Sequence, residues 1–581
     1  MLVLLAVIAA FTAYAVALDY GTNTVDSGDY LAYSSYSHIV AQMGIGGGYA
    51  FLGSSSTGYA PSDFIAIIAP ALIYRALGFG AYTRIMFEVL CAIGTAAVVY
   101  LIGSRACGRW TGVLCAALFL AIPDVLLEAD SSGIGMPVAL FSSIAALAMV
   151  EGLLGRRYRY CFVSCLVGML GGIAGNAQAL LVFVFLALAV AWASLTFRRE
   201  DWRSVVGWSA GGLLCGALVV AALGYALLGS PLAYAVRNSA GSGVYVLRSP
   251  TPPALGVAET LFPLPWAAQG GNSSVAPLPS GWPFLFGGRY SQLTDYIQPD
   301  VYSGGTYTAY SFAGLFGWAL LAAGAYALAR RVREAYMPLA WFASVALYMS
   351  FGVDFPGLSY FIAFSSRYIS ILLPPMALVI GISLGRVLGL WGGGSNGTRR
   401  RKPAAAGRMA NAKRLVAVAA LTVLLANAAA VSVLFSGIYY EQLQPALAPA
   451  HYIASLPAGT QIYIMPALAA GGGAQYNATE VAAGFDQGAA EVIDYATGYR
   501  YMLDPVIGIG ACGELKPGSY VVQFTYPGIY AFGKSGALGT VCGNADQVLN
   551  VTSGGALYNY SLLMPAYDIW PGAEATLYRI G

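Results

Sequence analysis

Two short acidic clusters and one arginine are the residues of this chain whose types and spacing could do chemistry. In Val25-Asp26-Ser27-Gly28-Asp29-Tyr30-Leu31 the acids Asp26 and Asp29 stand three apart at the expected start of an amphipathic helix, so both could face one cavity. In Pro123-Asp124-Val125-Leu126-Leu127-Glu128-Ala129-Asp130 there are three more, Asp124, Glu128 and Asp130. A carboxylate can take a proton from an attacking hydroxyl or hold a divalent cation through oxygen. Phe364-Ser365-Ser366-Arg367-Tyr368 adds a guanidinium, whose planar and permanently charged fork suits phosphate. Plainer readings stand beside these. The acids could be solvated loop residues, with Asp26 or Ser27 capping a helix, and Arg367 could pair with a lipid headgroup or with Asp354. Arg84 and Glu88, four apart, read as an ion pair with each other.

Other chemistries lack their residues. The two histidines, His38 and His451, are far apart in the sequence, and no phosphate loop, nucleophile elbow or cysteine–histidine arrangement occurs. Neither Walker motif is present, which argues against a pump driven by its own ATP hydrolysis. A formal charge of +3, from 29 basic and 26 acidic residues, leaves no basic face for a nucleic acid, so nucleic acid is not an expected partner.

The elements that must position the acids are membrane helices. Of 581 residues, 58% are hydrophobic and 9% charged, against about 25% charged in an ordinary soluble domain, which excludes a soluble enzyme. About twenty apolar residues span a bilayer core. Eleven candidate stretches lie near 1–18, 83–103, 111–123, 134–154, 161–175, 177–196, 205–229, 307–329, 336–351, 368–388 and 415–437. With residue 1 inside, the short loops around Arg105, Arg156, Arg198 and Arg330 and the stretch 386–414 become cytoplasmic. They hold 19 of the 29 basic residues, as the positive-inside rule requires. Membrane lipids are therefore expected neighbours, in a cell membrane crossed many times. Both acidic clusters then fall on the exterior face, and Arg367 stands there against the charge bias.

Three segments are expected outside: residues 19–82, 230–306 and 441–581. The last reads as a separate soluble domain, α/β or β-rich, following a transmembrane domain of residues 1–440. Its apolar stretches Gln461–Met465, Tyr520–Tyr526, Ala556–Met564 and Ala575–Ile580 are short and bounded by Gly/Pro turns. Cys512 and Cys542 share that domain and read as a disulfide in an oxidising setting. The other six cysteines read as small buried hydrophobes. Asn272, Asn477, Asn550 and Asn559 head N-glycosylation sequons on expected exterior surface, and Asn396 heads one in the basic inner loop.

Taken in order, several local pieces resemble the GT-C superfamily of integral-membrane glycosyltransferases. They are Val25-Asp-Ser-Gly-Asp-Tyr-Leu-Ala-Tyr-Ser, Tyr59-Ala-Pro, Pro70-Ala-Leu-Ile-Tyr-Arg-Ala-Leu-Gly, Arg84-Ile, Tyr100-Leu-Ile-Gly, Trp110-Thr-Gly-Val and Ser366-Arg-Tyr with Pro374. That superfamily includes protein O-mannosyltransferases, the aminoarabinose transferase of lipid A and oligosaccharyltransferases. The resemblance covers residues 1–200 well, 200–350 thinly, and is architectural beyond 400. It implies a polytopic α-helical membrane protein of about eleven helices, GT-C-like, with an exterior C-terminal soluble domain. The implied activity is inverting transfer of a sugar from a polyprenyl-phosphate-linked donor to a protein or lipid acceptor.

The resemblance implies roles for particular residues. Asp29 takes the place of the first-loop acid, with Asp26 as its rival. Glu128 and Asp130 are similar to the second acidic motif of oligosaccharyltransferases, with Asp124 beside them, and Arg367 falls to the donor phosphate. Two departures matter. No two tryptophans are adjacent, so the Trp-Trp-Asp acceptor motif is absent, which favours a hydroxyl or lipid acceptor over asparagine. Gly133-Ile-Gly-Met replaces the acid expected near there, so metal dependence stays open, with Asp29, Glu128 and Asp130 as candidate ligands and magnesium or manganese as candidate ions. Two non-enzymatic readings compete: an envelope scaffold or receptor displaying a glycosylated domain, and a transporter of lipid-linked sugar.

Overall fold

The structure is a computed structural model. It describes residues 2–22, 28–54, 63–129, 134–173, 202–231, 248–249, 288–290, 309–311, 315–351, 353–354, 359–361, 370–390, 404–457, 459–465, 507–508, 515–525, 544–552 and 574–581. Thirteen helices are described: α1 (Leu2–Thr22), α2 (Gly28–Ser54), α3 (Phe64–Leu77), α4 (Ala81–Cys107), α5 (Arg109–Ala121), α6 (Pro123–Ala129), α7 (Gly135–Leu154), α8 (Arg159–Gly172), α9 (Trp202–Leu228), α10 (Leu315–Ala329), α11 (Tyr336–Phe351), α12 (Leu373–Leu388) and α13 (Ala404–Ala454).

Five helical stretches among the described residues are long and apolar enough to cross a membrane: Tyr82–Cys107, Gly135–Leu153, Arg203–Leu228, Ser370–Leu388 and Asn411–Val433. The protein is a membrane protein on that composition. Shorter apolar helices, among them α1, α3, α5, α8 and α10, fill in around them. The expected stretch 177–196 lies outside the described residues. The one at 307–329 begins differently, since Ala309–Ser311 form a strand and the helix starts at Leu315.

Small residues let these helices approach. A Cβ on Gly112 of α5 would stand 2.9 Å from the Ser104 backbone nitrogen of α4, and one on Gly381 of α12 would stand 2.9 Å from the Cys115 Cα of α5. Packing of this kind, rather than water exclusion, holds helices together in lipid. Gly108, at φ 101°, makes the tight turn between α4 and α5. Five of the six cysteines expected to be small hydrophobes are buried, Cys215 is half-buried, and all six are free thiols. The α4, α5, α7 and α12 faces form the main core. In contrast, α9 shows Leu214, Leu218 and Tyr225 on its surface, the face a lipid-contacting helix presents.

One end of the bundle carries Arg105 of α4 paired with Glu151 of α7 at 3.1 Å. Both side chains are partly exposed, so the pair is worth no more than about 1 kcal/mol. At the other end, α4 and α7 begin and the short α6 lies between α5 and α7. This is the α6 end.

Ten strands are described: β1 (Arg248–Ser249), β2 (Gly288–Tyr290), β3 (Ala309–Ser311), β4 (Val353–Asp354), β5 (Ser359–Phe361), β6 (Ile462–Met465), β7 (Ile507–Gly508), β8 (Tyr520–Thr525), β9 (Ala545–Thr552) and β10 (Glu574–Ile580). The sheet β1-β5-β4 ties the segment before α10 to the segment that precedes Arg367. The last five strands form one mixed sheet in the order β7-β6-β8-β10-β9, with β6 parallel to β7 and β8 and the other pairs antiparallel. Its buried Tyr463, Val521, Tyr578 and Ile580 make a small core of their own. The C-terminal end of the long α13 packs on this sheet, with Tyr452 against Tyr520.

Candidate functional site

Glu128 and Asp124 are not solvated loop acids. They stand one turn apart on α6, and both side chains are fully buried at 0% exposure. Glu88 and Arg84, on the first turns of α4, are 2% exposed. Burying an ionised carboxylate costs several kcal/mol unless it is paired and hydrogen-bonded. Three acids and an arginine are thus held inside the α6 end at a cost that four apolar residues would have avoided.

The start of α7 organises two of them. Its first N–H groups have no partner within the helix, and the N-cap residue Ile134 makes no side-chain cap. Glu88 reaches across from α4 and accepts a hydrogen bond from the Met136 N–H at the start of α7. Glu128 lies in electrostatic reach of Glu88 and packs directly on Gly135. A Cβ at Gly135 would stand 2.9 Å from Glu128 Cδ and nearer still to Oε2. The partner expected for Glu88 was Arg84. The structure brings its carboxylate to the Met136 N–H, because α4 faces the start of α7 at that turn. Its Oε2 has no hydrogen-bond partner among the described residues.

Asp29 is the second residue of α2, and nothing beyond its backbone position is described. Asp26, Asp130 and Arg367 lie outside the described residues, as do Cys512, Cys542, Asn272, Asn477 and Asn559. Two of those places are bracketed by described neighbours. Asp130 follows directly on α6. Ser370, three positions after Arg367, opens a single helical turn to Leu372 that is buried against α6 and α7. Asn550 is exposed on β9.

α2 packs on α3, and α3 on α4. His38 of α2 meets the Phe79 ring edge-on at 4.8 Å, Phe79 meets Tyr74 of α3 at 5.1 Å, and the Tyr74 hydroxyl donates to the Arg84 carbonyl at 3.5 Å. Gln42 donates to His38 Nε2 at 2.7 Å, and burial lowers the His38 pKa. Asp63, buried ahead of α3, accepts a hydrogen bond from the Tyr33 hydroxyl. Burial, with the Asp63 charge beside it, pushes Tyr49 ionisation up, so that phenol stays neutral. The sequence reading missed Asp63 and Tyr33, and saw Glu88 only as half of a local pair. A lone acid in an apolar run was the available signal for Glu88.

Neither a family model nor a curated protein matches the sequence. Among solved structures, the chain is similar over 98% of its length to ArnT from Cupriavidus metallidurans bound to undecaprenyl phosphate. The match covers 97% of that chain at 12% identity, with a TM-score of 0.50. The likeness is one of fold, and it runs through nearly the whole of both chains. The archaeal oligosaccharyltransferase AglB from Archaeoglobus fulgidus, in complex with an inhibitory peptide and a dolichol-phosphate, matches over 90% of this chain and 69% of its own, at 13% identity and TM-score 0.40. The shared fold extends through the terminal sheet, because the ArnT match covers 98% of this chain and 97% of that one.

A divalent cation is the cofactor expected from the sequence. Oxygen donors suit magnesium or manganese. Among the described residues no three His, Cys, Asp or Glu side chains come together, and the facing pair Glu88 and Glu128 supplies too few donors for a cation shell.

Proposed function

We propose that this chain is a membrane glycosyltransferase that moves a sugar from a polyprenyl-phosphate-linked donor to a hydroxyl-bearing protein or lipid acceptor, with inversion. The observation that carries this reading is the set of buried acids at the α6 end, Asp124, Glu128 and Glu88, next to the turn that follows Arg367. The polyprenyl tail lies in the bilayer while the phosphate and sugar reach the α6 end, which is the exterior face in the charge-derived topology. The multi-pass protein then sits in the cell membrane with residues 441–581 as its exterior domain. Cys512 and Cys542 are bridged there, and Asn272, Asn477, Asn550 and Asn559 are available to glycosylation.

Asp29 takes the proton from the acceptor hydroxyl, whose oxygen attacks the anomeric carbon from the face opposite the phosphate. The bond from that carbon to the phosphate oxygen breaks, and its electron pair leaves with the phosphate. Arg367 stabilises the charge that develops there. Glu128 and Asp130 serve as the second acidic pair of the reaction, with Asp124 one turn before Glu128 on α6. General-base catalysis contributes about 10²–10⁴-fold, or about 3–5 kcal/mol of barrier.

The test is release of polyprenyl phosphate from polyprenyl-phosphate sugars by purified protein. Asp29→Asn should lose at least about a hundredfold in turnover while staying folded in the membrane. Normal turnover in Asp29→Asn with loss in Asp26→Asn would move the base to Asp26. Normal turnover in both would remove the general-base reading. Flux of donor across vesicles without product would favour a transporter.

A further inference from the structure

Asp63 occupies the N-cap position of α3, where an aspartate ordinarily accepts from its own helix, yet its side chain makes no such cap. Its carboxylate instead takes the Tyr33 hydroxyl of α2, 30 positions earlier in the chain. Asp63 is 3% exposed, so this hydrogen bond is shielded from competing water. α3 is a fixed partner. Its Ile65 N–H donates to the Ile173 carbonyl beyond α8 at 2.9 Å, and α3 packs on α4. Tyr33 is anchored on its own helix as well, since Ser37 Oγ donates to the Tyr33 carbonyl at 2.8 Å and its ring meets Tyr36 edge-on. Tyr33 stands one helical turn after Asp29.

We infer that the Tyr33–Asp63 hydrogen bond is a latch that fixes the first turn of α2 against the helix bundle, making both residues positioning residues for Asp29. The inference rests on the transferase reading. Without the latch, the start of α2 loses a buried side-chain tie to the residue that opens α3. Helix ends fray more readily when such a tie is lost. A base that wanders by about 1 Å loses much of its catalytic effect, up to about a hundredfold. The loss falls on turnover rather than on donor binding, because the acceptor proton is transferred only in the transition state.

Three variants test this in purified full-length protein: Tyr33→Phe, Asp63→Ala and Asp63→Asn. Tyr33→Phe removes one oxygen and keeps the ring, so it remains informative even if Asp63→Ala fails to fold. The expected result is a drop in kcat of about tenfold for Tyr33→Phe and Asp63→Ala, with KM for a polyprenyl-phosphate sugar changed less than about twofold. Asp63→Asn, which can still accept from Tyr33, recovers most of the loss, and the double variant Tyr33→Phe/Asp63→Ala is no worse than either single one. Amide hydrogen exchange gives a readout free of activity: residues 29–36 exchange faster in Tyr33→Phe than in wild type. Unchanged exchange there overturns the latch. Faster exchange with unchanged kcat overturns the positioning role. Wild-type protein that consumes no polyprenyl-phosphate sugar overturns the transferase reading and the positioning role with it, and exchange then judges the latch alone.

Discussion

Gly135→Ala is the substitution that most cleanly separates the site from the scaffold. The new methyl would stand 2.9 Å from Glu128 Cδ and 3.2 Å from Cγ, where ordinary contacts begin near 3.4 Å. The carboxylate is the far end of a flexible side chain, so it yields, moving by about 1 Å. Helix propensity offsets the crowding. Alanine in place of glycine stabilises a helix interior by up to about 1 kcal/mol and less at this first helical position, while overpacking costs about 1–3 kcal/mol, so net stability falls by no more than about 3 kcal/mol. A displacement of about 1 Å in a group bordering the reacting atoms costs up to about a hundredfold in turnover, or about 2.7 kcal/mol of barrier. Gly381→Ala is the control. Its methyl meets Cys115 Sγ at 2.5 Å and the Cys115 Cα at 2.9 Å in the middle of the α5–α12 contact, and backbone cannot step aside. It should lower the melting temperature more than Gly135→Ala and leave turnover per folded molecule unchanged. The assay is polyprenyl phosphate release per folded protein, with thermal unfolding measured in the same detergent. Wild-type turnover in Gly135→Ala would refute the placement of Glu128 at the reaction.

Two further outcomes follow from groups at and near the α6 end. Glu88→Gln keeps an acceptor for the Met136 N–H and should unfold within about 0.5 kcal/mol of wild type, whereas Glu88→Ala strands that buried donor and should cost about 1–3 kcal/mol, read by thermal unfolding. His38 has its pKa lowered by burial from the ordinary 6.5, so above that pH both folded and unfolded chains carry it neutral. As pH falls below about 6.5 the unfolded chain takes up the proton first, so stability declines on acidification, and His38→Gln should flatten the difference in melting temperature between pH 7.5 and 5.5.

The helices were legible because lipid imposes length and apolarity on each segment separately: every expected stretch that falls among the described residues contains a helix, and α6 appears where the acids Asp124 and Glu128 were singled out. Contacts between helices were not legible. Glu88 looked like a partner for Arg84 because an i,i+4 pair is the only interaction a single helix displays, while its acceptor role toward Met136 depends on how α4 crosses α7. Tyr33 and Asp63 are joined across two helices, and neither neighbourhood contains a sign of the other. In the terminal sheet, the strands near Ile462, Tyr520 and Glu574 were marked by apolar runs. β9 was passed over because its Asp546, Gln547 and Asn550 are polar, as suits a strand at the edge of a sheet.

The most direct measurement is an experimental structure of the protein with a polyprenyl-phosphate sugar bound. The account predicts the phosphate within hydrogen-bonding distance of the Arg367 guanidinium at the α6 end, with the Asp29 carboxylate on the far side of the anomeric carbon and Glu128 bordering the same crevice. A phosphate seated elsewhere, with Asp29 and Glu128 on opposite sides of the protein and no cavity between them, would contradict it.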